Sequence, residues 1–369
     1  MTQKRYKSRG CDNYSSSKER ALNSHTLNKP NSLKAIALIS GGLDSALAAA
    51  LVKSWGIEVI ALHLTSPFGC TEEAQRVAKD LSIQLIIKEK GESFVDMIQS
   101  PKYGYGSQMN PCVDCRIYMF DLAETLRLEQ NADFIVTGEV VGQRPFSQNK
   151  AAMNLIDKIS AMESKIVRPL SGGNLPPTEP EQKGWIQRQD LFKFSGRGRS
   201  EQLALAHKLG VRVYSSPGGG CLLTEKAFSQ RLQDFYSYPT YKNSEEKMAQ
   251  AALLRLGRHF RLSKDTKVII ARTDRENEEL KSAWKKTGCF YFEPQNFKGP
   301  SAIAMGQLNH ESKTQVASLL ARYGRKTVSD PYTVESFNTQ DSLEPSSEFL
   351  SVAIPAQEEI LNQWRVGIT

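Results

Sequence analysis

Between residue 34 and about residue 236 the chain alternates short apolar runs with stretches of helical spacing. The apolar runs at 34–39, 59–64, 84–87 and 134–138 have the length and composition of buried strands. Helical spacing follows at 46–52, 71–81 and 115–130. Strands that alternate with helices indicate parallel pairing, so we predict an α/β domain with a doubly wound parallel sheet over 34–236.

The rest of the chain has a different pattern. Residues 247–328 predict a second, smaller α+β domain, with strands near 268–271 and 291–292 and a helix over 276–285. A polar stretch at 237–246 predicts a linker. Residues 1–33 hold seven Lys or Arg against two acidic residues, which predicts a flexible basic arm. Residues 329–369 are acidic and predict a loop-rich tail with one short helix.

A glycine turn joins the first predicted strand to its helix, in the run SGGLDS at 40–45. Gly41 and Gly42 let the backbone turn sharply, and the free N–H groups of the helix start favour a phosphate. Ser40 and Ser45 add hydroxyl donors, and the Asp44 carboxylate suggests a bridging Mg²⁺. The alternative is an ordinary turn, because the same residue types are common in turns and caps.

A second polar loop follows the predicted strand at 134–138, with Gly138 at the strand end and Arg144 six residues later. Ligands of doubly wound sheets bind beyond the carboxyl ends of the strands, so this loop and the glycine turn are expected to line one crevice. Arg144 is predicted to contact an ATP phosphate or an RNA backbone; the alternative is an exposed loop arginine.

Six cysteines in a chain of 369 residues are too few for a disulfide framework and favour metal or redox chemistry in a reducing cytosol. Cys112 and Cys115 form a CxxC at a predicted helix start, and Cys221 follows three glycines. Three thiolates would hold an iron–sulfur cluster with one open iron, able to bind sulfide. Persulfide chemistry, a zinc site and inert thiols remain alternatives. We expect Cys70 and Cys289 to be core residues and Cys11 an unligated thiol.

The net charge of +8 favours a polyanionic partner. No apolar run approaches the roughly 20 residues that cross a bilayer, and the N-terminus has no apolar signal region, so we expect a cytoplasmic protein without a membrane partner.

These motifs together resemble the ThiI-like branch of the PP-loop tRNA sulfurtransferases. The resemblance covers 34 to about 236 and includes the following runs: SGGLDS, NPCVDCR (110–116), TGEVVGQRPFSQ (137–148), VRPLSGGNLPPTEPE (167–181), SGRGRSEQ (195–202) and SPGGGCLLT (216–224). SGGNLPPT departs from the family, which tends to have a bulkier residue after the serine. Neither a THUMP domain nor a rhodanese domain is recognisable, which implies that another part holds the RNA.

The resemblance implies ATP-dependent tRNA thiolation in the cytoplasm, giving a 4-thiouridine or 2-thiouridine type of product. A nucleobase carbonyl is adenylated with release of pyrophosphate, and sulfur then displaces AMP. The implied cofactors are ATP, Mg²⁺ and a [4Fe–4S] cluster, the implied sulfur donor is free sulfide or a cysteine desulfurase, and a homodimer is included in the prediction. The expected catalytic residues are Cys112, Cys115, Cys221 and Asp44, with the three cysteines as metal ligands. The expected cofactor-binding residues are Ser40, Gly41, Gly42, Asp44, Ser45, Gly138 and Arg144.

The second domain resembles the NFACT-type RNA-binding module through LGRHFRL (256–262), IIARTDREN (269–277) and FKGPSAI (297–303). The resemblance implies tRNA as partner, with phosphate contacts from Arg258, His259, Arg261, Arg272 and Arg275. The alternative is a solvated basic face. Two other functions stay open: sulfur transfer or amidation of a small molecule, and RNA binding without catalysis.

Overall fold

A computed structural model describes residues 32–69, 71–215, 221–287, 289–325, 331–338 and 346–367. Cys11, Cys70, the expected basic arm up to residue 31 and the three glycines before Cys221 lie outside these residues. The chain up to residue 215 contains the following elements: β1 Lys34–Leu38, α1 Leu43–Ser54, β2 Glu58–Thr65, α2 Glu72–Asp80, β3 Gln84–Glu89, α3 Gly91–Gln99, α4 Cys112–Glu129, β4 Phe134–Val136, α5 Lys150–Ile159, β5 Ile166–Val167, α6 Glu179–Gln182 and α7 Ser200–Leu209.

The first five strands form one sheet in the order β3-β2-β1-β4-β5, with β1 at its centre. β1 pairs in parallel with β2 on one side and with β4 on the other, and β4 pairs in parallel with β5. Every residue of β1 after Lys34 is buried, as expected for a strand covered on both faces. The predicted α/β sheet is therefore confirmed.

The chain after residue 221 adds the following elements: α8 Lys226–Ser237, α9 Ser244–Leu253, β6 Arg258–Ser263, β7 Thr266–Ile270, α10 Asp274–Thr287, β8 Phe290–Pro294, β9 Ala302–Gly306, α11 His310–Tyr323, β10 Tyr332–Asn338, β11 Ser346–Val352, α12 Glu358–Trp364 and β12 Arg365–Val366. Their strands form a separate seven-stranded sheet in the order β11-β10-β8-β9-β7-β6-β12. Each pairing in it is antiparallel.

This sheet differs from the expected loop-rich tail at 329–369. β10 and β11 form one edge of the sheet, and β12 pairs with β6 at the other edge. β11 was difficult to predict because its sequence shows only a weak alternation of polar and apolar residues. The strand lies at the sheet edge, and its Phe349 is largely exposed.

The described chain divides into two compact units. The first holds residues 32–62, 74–86 and 120–214, and the second holds 63–73, 87–119 and 215–367. The CxxC therefore belongs to the second unit, and the expected boundaries at 236 and 247 do not separate the units. No helix among the described residues has the length and apolar character needed to cross a membrane.

Candidate functional site

The glycine turn lies at the carboxyl end of the central strand β1. Gly41 has a φ of 86°, a left-handed conformation that favours glycine. Ser45 Oγ donates to the carbonyl of Gly42 at 2.9 Å and accepts from the backbone N–H of Ser40 at 3.2 Å. No side chain caps the start of α1. The serines therefore brace the turn, and the first N–H groups of α1 are left for an anion.

Asp44 lies in the first turn of α1. Its Oδ2 accepts a 3.0 Å hydrogen bond from Gln143 Nε2. Its Oδ1 is buried and has no hydrogen-bond partner among the described residues. A buried carboxylate oxygen without a partner is costly, and a hard cation such as Mg²⁺ would satisfy it. This oxygen, beside an open helix start, therefore fits a Mg²⁺ ligand.

Gly138, just after β4, packs directly on the start of α1. A Cβ atom built on Gly138 would lie 2.4 Å from the carbonyl carbon and oxygen of Asp44, and 2.6 Å from the backbone nitrogen of Ser45. No side chain fits there, since all three atoms are backbone. The structure thus brings the two predicted loops together, and the role it gives Gly138 is close backbone approach.

Arg144 is exposed on the loop that follows Gly138. The loop closes on itself through the N–H of Gly142, which donates to the carbonyl of Gln148 at 2.6 Å, and through the N–H of Gln148, which donates to the carbonyl of Arg144 at 2.9 Å. Within the described chain the Arg144 guanidinium has no ion pair or hydrogen bond. Its contact with ATP or RNA stays a prediction.

A buried ion network behind this loop escaped sequence reasoning. Arg168 binds Asp157 through two hydrogen bonds of 2.8 and 2.6 Å and Glu139 through one of 2.9 Å. Burial lowers the pKa of Arg168, but the two carboxylates outweigh this and raise it. Burial raises the pKa of Asp157, and Arg168 only partly opposes that shift. Glu139 follows Gly138 directly, so this network anchors the loop that contacts Asp44.

The CxxC begins α4, with Cys112 as its first residue. Cys112 and Cys115 are both half-buried. Asp114, between them, is buried and accepts hydrogen bonds from the backbone N–H groups of Lys102 at 2.9 Å and Tyr103 at 3.1 Å. The aspartate of the motif therefore fixes the preceding loop to the helix start, a role that the spacing of the cysteines does not reveal.

Lys90 is a further group beside the CxxC that the sequence did not single out. Its Nζ lies 3.9 Å from the Sγ of Cys115 and 4.1 Å from the centroid of the Phe94 ring. The Lys90 ammonium therefore lies beside the Cys115 sulfur, although it comes from 25 positions earlier in the chain.

Cys221 is exposed and precedes a short 3₁₀ turn, Leu222–Thr224. Ser229 connects the two cysteine segments: its Oγ donates to the carbonyl of Leu223 at 3.0 Å and accepts from the N–H of Met109 at 3.4 Å. Cys115 also packs against the apolar cluster that contains Leu223. Yet across the described ranges, no three His, Cys, Asp or Glu side chains form a group that could hold a metal ion. The arrangement of the three cysteines does not fit a cluster cradle.

The cations expected to contact RNA are mostly engaged within the second unit. His259 is 1% exposed, so a phosphate contact from its side chain is wrong. Arg261 forms two hydrogen bonds with Asp234, and Arg272 is bonded to Glu276. The others in the set have partners too: Arg258 bonds the carbonyl of Ala271 and lies over the Tyr323 ring, and Arg275 bonds Glu279.

The parallel sheet, the glycine turn at its central strand and the open helix start define an α/β domain of the nucleotide-binding class. Residues 31–174 match the family model described as thiamine biosynthesis protein (ThiI). Residues 257–365 match the model described as NFACT protein RNA binding domain. The chain therefore has one segment that matches the ThiI model and another that matches the NFACT RNA-binding model, which confirms both resemblances drawn from the motifs.

Two curated proteins illustrate the similarity. A probable tRNA sulfurtransferase of Methanothermobacter thermautotrophicus is 30% identical over 146 residues, 38% of this chain and 36% of that protein. A tRNA-specific 2-thiouridylase of Bartonella quintana is 30% identical over 148 residues, 35% of this chain and 36% of that protein. The chain thus spans about a third of the length of the curated relatives it matches.

Among solved structures, a 4-thiouridine synthetase in complex with RNA and ATP is 21% identical and superposes with a TM-score of 0.32. The match covers 48% of this chain and 51% of that one.

Proposed function

We propose that this protein is an ATP-dependent tRNA sulfurtransferase. The observation that carries the proposal is Asp44, whose buried Oδ1 has no partner in the described chain and lies beside an open helix start. The ThiI match over 31–174 and the NFACT match over 257–365 support the pairing of nucleotide chemistry with an RNA substrate.

In the proposed reaction a nucleobase carbonyl oxygen attacks the α-phosphorus of ATP and pyrophosphate leaves. A sulfur nucleophile then attacks the activated carbon, and AMP departs with the original oxygen. The N–H groups at the start of α1 and the guanidinium of Arg144 would bind the phosphates, and Asp44 would hold Mg²⁺. Bound Mg²⁺ would neutralise charge on the departing pyrophosphate.

Sulfur delivery is assigned to Cys112, Cys115 and Cys221. An iron–sulfur cluster on these residues is the hypothesis from the sequence, and a persulfide carried on one cysteine is the alternative. No step of the proposed reaction runs through a cluster, because the described cysteines do not form a metal-binding group. In either chemistry the ammonium of Lys90, 3.9 Å from the Sγ of Cys115, would contact the sulfur group carried there.

Replacing Asp44 by Asn is expected to lower tRNA thiolation about 100-fold or more, because it removes the metal-binding charge while keeping side-chain shape. The measurement is nucleoside mass spectrometry of tRNA from cells that lack the gene and carry either variant or wild type. Asp80→Asn, an exposed acid at the end of α2, is the matched control. An unchanged thionucleoside profile on deletion, in cells without a redundant enzyme, would favour a small-molecule substrate. Binding of tRNA with no change in nucleosides and no ATP turnover would favour a non-catalytic RNA-binding protein.

Each of Cys112→Ser, Cys115→Ser and Cys221→Ser is expected to abolish thiolation, while Cys289→Ala should retain it. Cys289 is a suitable control because it is buried, as predicted, and burial raises the pKa of its thiol to about 12. Iron and acid-labile sulfide in anaerobically reconstituted protein distinguish the two chemistries. If a cluster forms, the wild-type protein contains iron and acid-labile sulfide, and the Cys221→Ser variant contains neither. A persulfide enzyme is active without iron. Full activity in all three serine variants would contradict the assignment of sulfur to these residues.

A further inference from the structure

Two exposed cations face each other where the segment after β8 meets the end of α11. Lys298 and Arg325 form an isolated antiparallel bridge, in which the N–H of Arg325 donates to the carbonyl of Lys298 at 2.7 Å. Directly opposed residues of an antiparallel pair project their side chains to the same side, about 5 Å apart at the backbone. The bridge thus presents two positive charges on one surface.

Among the described residues, no group neutralises either cation. Both side chains are exposed, and in the described ranges neither has an ion pair, a side-chain hydrogen bond or an aromatic partner. Like charges placed directly opposite each other are destabilising. The C-terminal end of α11, at Tyr323, carries a partial negative charge that stabilises a cation at Arg325. It does not explain the second cation at Lys298. A bound anion would relieve the repulsion between the two.

The backbone under the two cations is closely packed. A Cβ atom on Gly324 would lie 2.4 Å from Cδ2 of the Phe297 ring, and a Cβ on Gly299 would lie 3.2 Å from the Cα of Gly324. Phe297 is buried and makes an edge-on contact with the Tyr332 ring, with centroids 5.1 Å apart. The two cations therefore sit on a surface ordered in advance, which reduces the entropy lost on binding.

The arginines at the start of α10, in contrast, are paired within the protein. Residues 272–279 contain two arginines against four acidic residues, and both arginines bind glutamates of the same helix. Arg255 binds Glu279 as well, so the cations here are already paired with glutamates of the protein itself. The arginines that the sequence motif made prominent are therefore weaker candidates for phosphate binding than the bridge.

We infer that Lys298 and Arg325 form a phosphate-binding site through which the second unit contacts the backbone of an RNA. The inference rests on the proposed function for its RNA partner and assigns that partner a specific surface. The contact is sequence-independent, because phosphates carry no base information.

The test compares two double variants of the full chain that lose the same formal charge: Lys298→Ala with Arg325→Ala, and Arg272→Ala with Arg275→Ala as the control. Affinity for bulk tRNA is measured by fluorescence anisotropy over a range of salt concentrations. Each lost phosphate contact lowers the slope of log affinity against log salt by about 1. The bridge variant should therefore lose about 2 in slope, and the control should keep the wild-type slope. Thermal unfolding of each variant checks the fold, with Lys298→Gln and Arg325→Gln as a second pair.

An unchanged slope in the bridge variant, or an equal loss in both variants, would overturn the assignment while leaving RNA binding intact. Salt-independent or absent binding by the wild type would instead overturn the RNA partner of the proposed function and this inference together.

Discussion

Replacing Gly138 by Ala is expected to disable nucleotide binding and to destabilise the first unit. The added Cβ would lie 2.4 Å from backbone atoms of Asp44, well inside contact distance. Neither neighbour is a flexible side chain, so either the end of β4 or the start of α1 must move. Overpacking of this kind costs about 1–3 kcal/mol of unfolding free energy, or more where backbone must shift. The displaced Asp44 should raise the Kd for ATP at least tenfold, as measured by isothermal titration calorimetry.

Gly198→Ala is the matched control for this variant. Gly198 lies in the same unit, and a Cβ there would meet no atom within 4 Å. Its unfolding temperature and ATP affinity should equal those of the wild type. If Gly138→Ala bound ATP as tightly as wild type, the close approach of the two loops would have no role in the nucleotide site.

Replacing Arg168 by Met is expected to lower the free energy of unfolding by about 3–5 kcal/mol, because it leaves two buried carboxylates without their positive partner. Glu139 is 2% exposed and Asp157 is 7% exposed, so water cannot replace the lost guanidinium. The ΔΔG can be measured by urea unfolding. Since Glu139 adjoins Gly138, ATP affinity should fall as well, even though Arg168 lies behind the loop.

Adding Asp157→Asn to Arg168→Met should restore part of the lost stability, because it removes one of the two unpaired buried charges.

The stability lost in Arg168→Met should also depend on pH. Burial raises the pKa of Asp157, and Arg168 opposes that rise, so the shift grows when the arginine is removed. A carboxyl whose pKa is raised by folding contributes stability at acid pH that is lost as pH rises through that pKa. Arg168→Met should therefore be less destabilised at about pH 5 than at about pH 8. Equal stability of the single and double variants at both pH values would show that the loss does not come from unpaired buried charges.

The nucleotide turn could be predicted from sequence because its determinants are local. A buried strand, two glycines and an alanine-rich helix follow one another within residues 34–54, and the structure places β1, the turn and α1 there. The Arg168 network could not be predicted in this way. Its members, Glu139, Asp157 and Arg168, belong to separate segments and are joined only by the packing of the sheet. A charged residue directly after a buried strand was the one available signal.

In the second unit, the predicted phosphate contact of His259 was wrong for a different reason. His259 belongs to a basic run, LGRHFRL, that resembles an exposed cationic surface in one dimension. In β6, however, both His259 and its neighbour Phe260 are buried, although they point to opposite faces of the sheet. Burial lowers the pKa of the His259 imidazole, which favours the neutral form. Lys298 and Arg325 are 27 positions apart, so no local motif could associate them.

The apolar cluster beside Cys115 limits how this chain can be divided or recombined. Ala251 of α9 and Leu254 just after it pack with Phe94, Leu223 and Phe228 in that cluster. A gene fragment ending at the apparent linker near residue 240 would therefore encode the cysteine motifs without part of the core that supports them. Asp234 of α8 also binds Arg261 and Lys267 of the antiparallel sheet, so a junction just after α9 would break these ion pairs. The cysteine segment and the RNA-binding segment are thus expected to be inherited together.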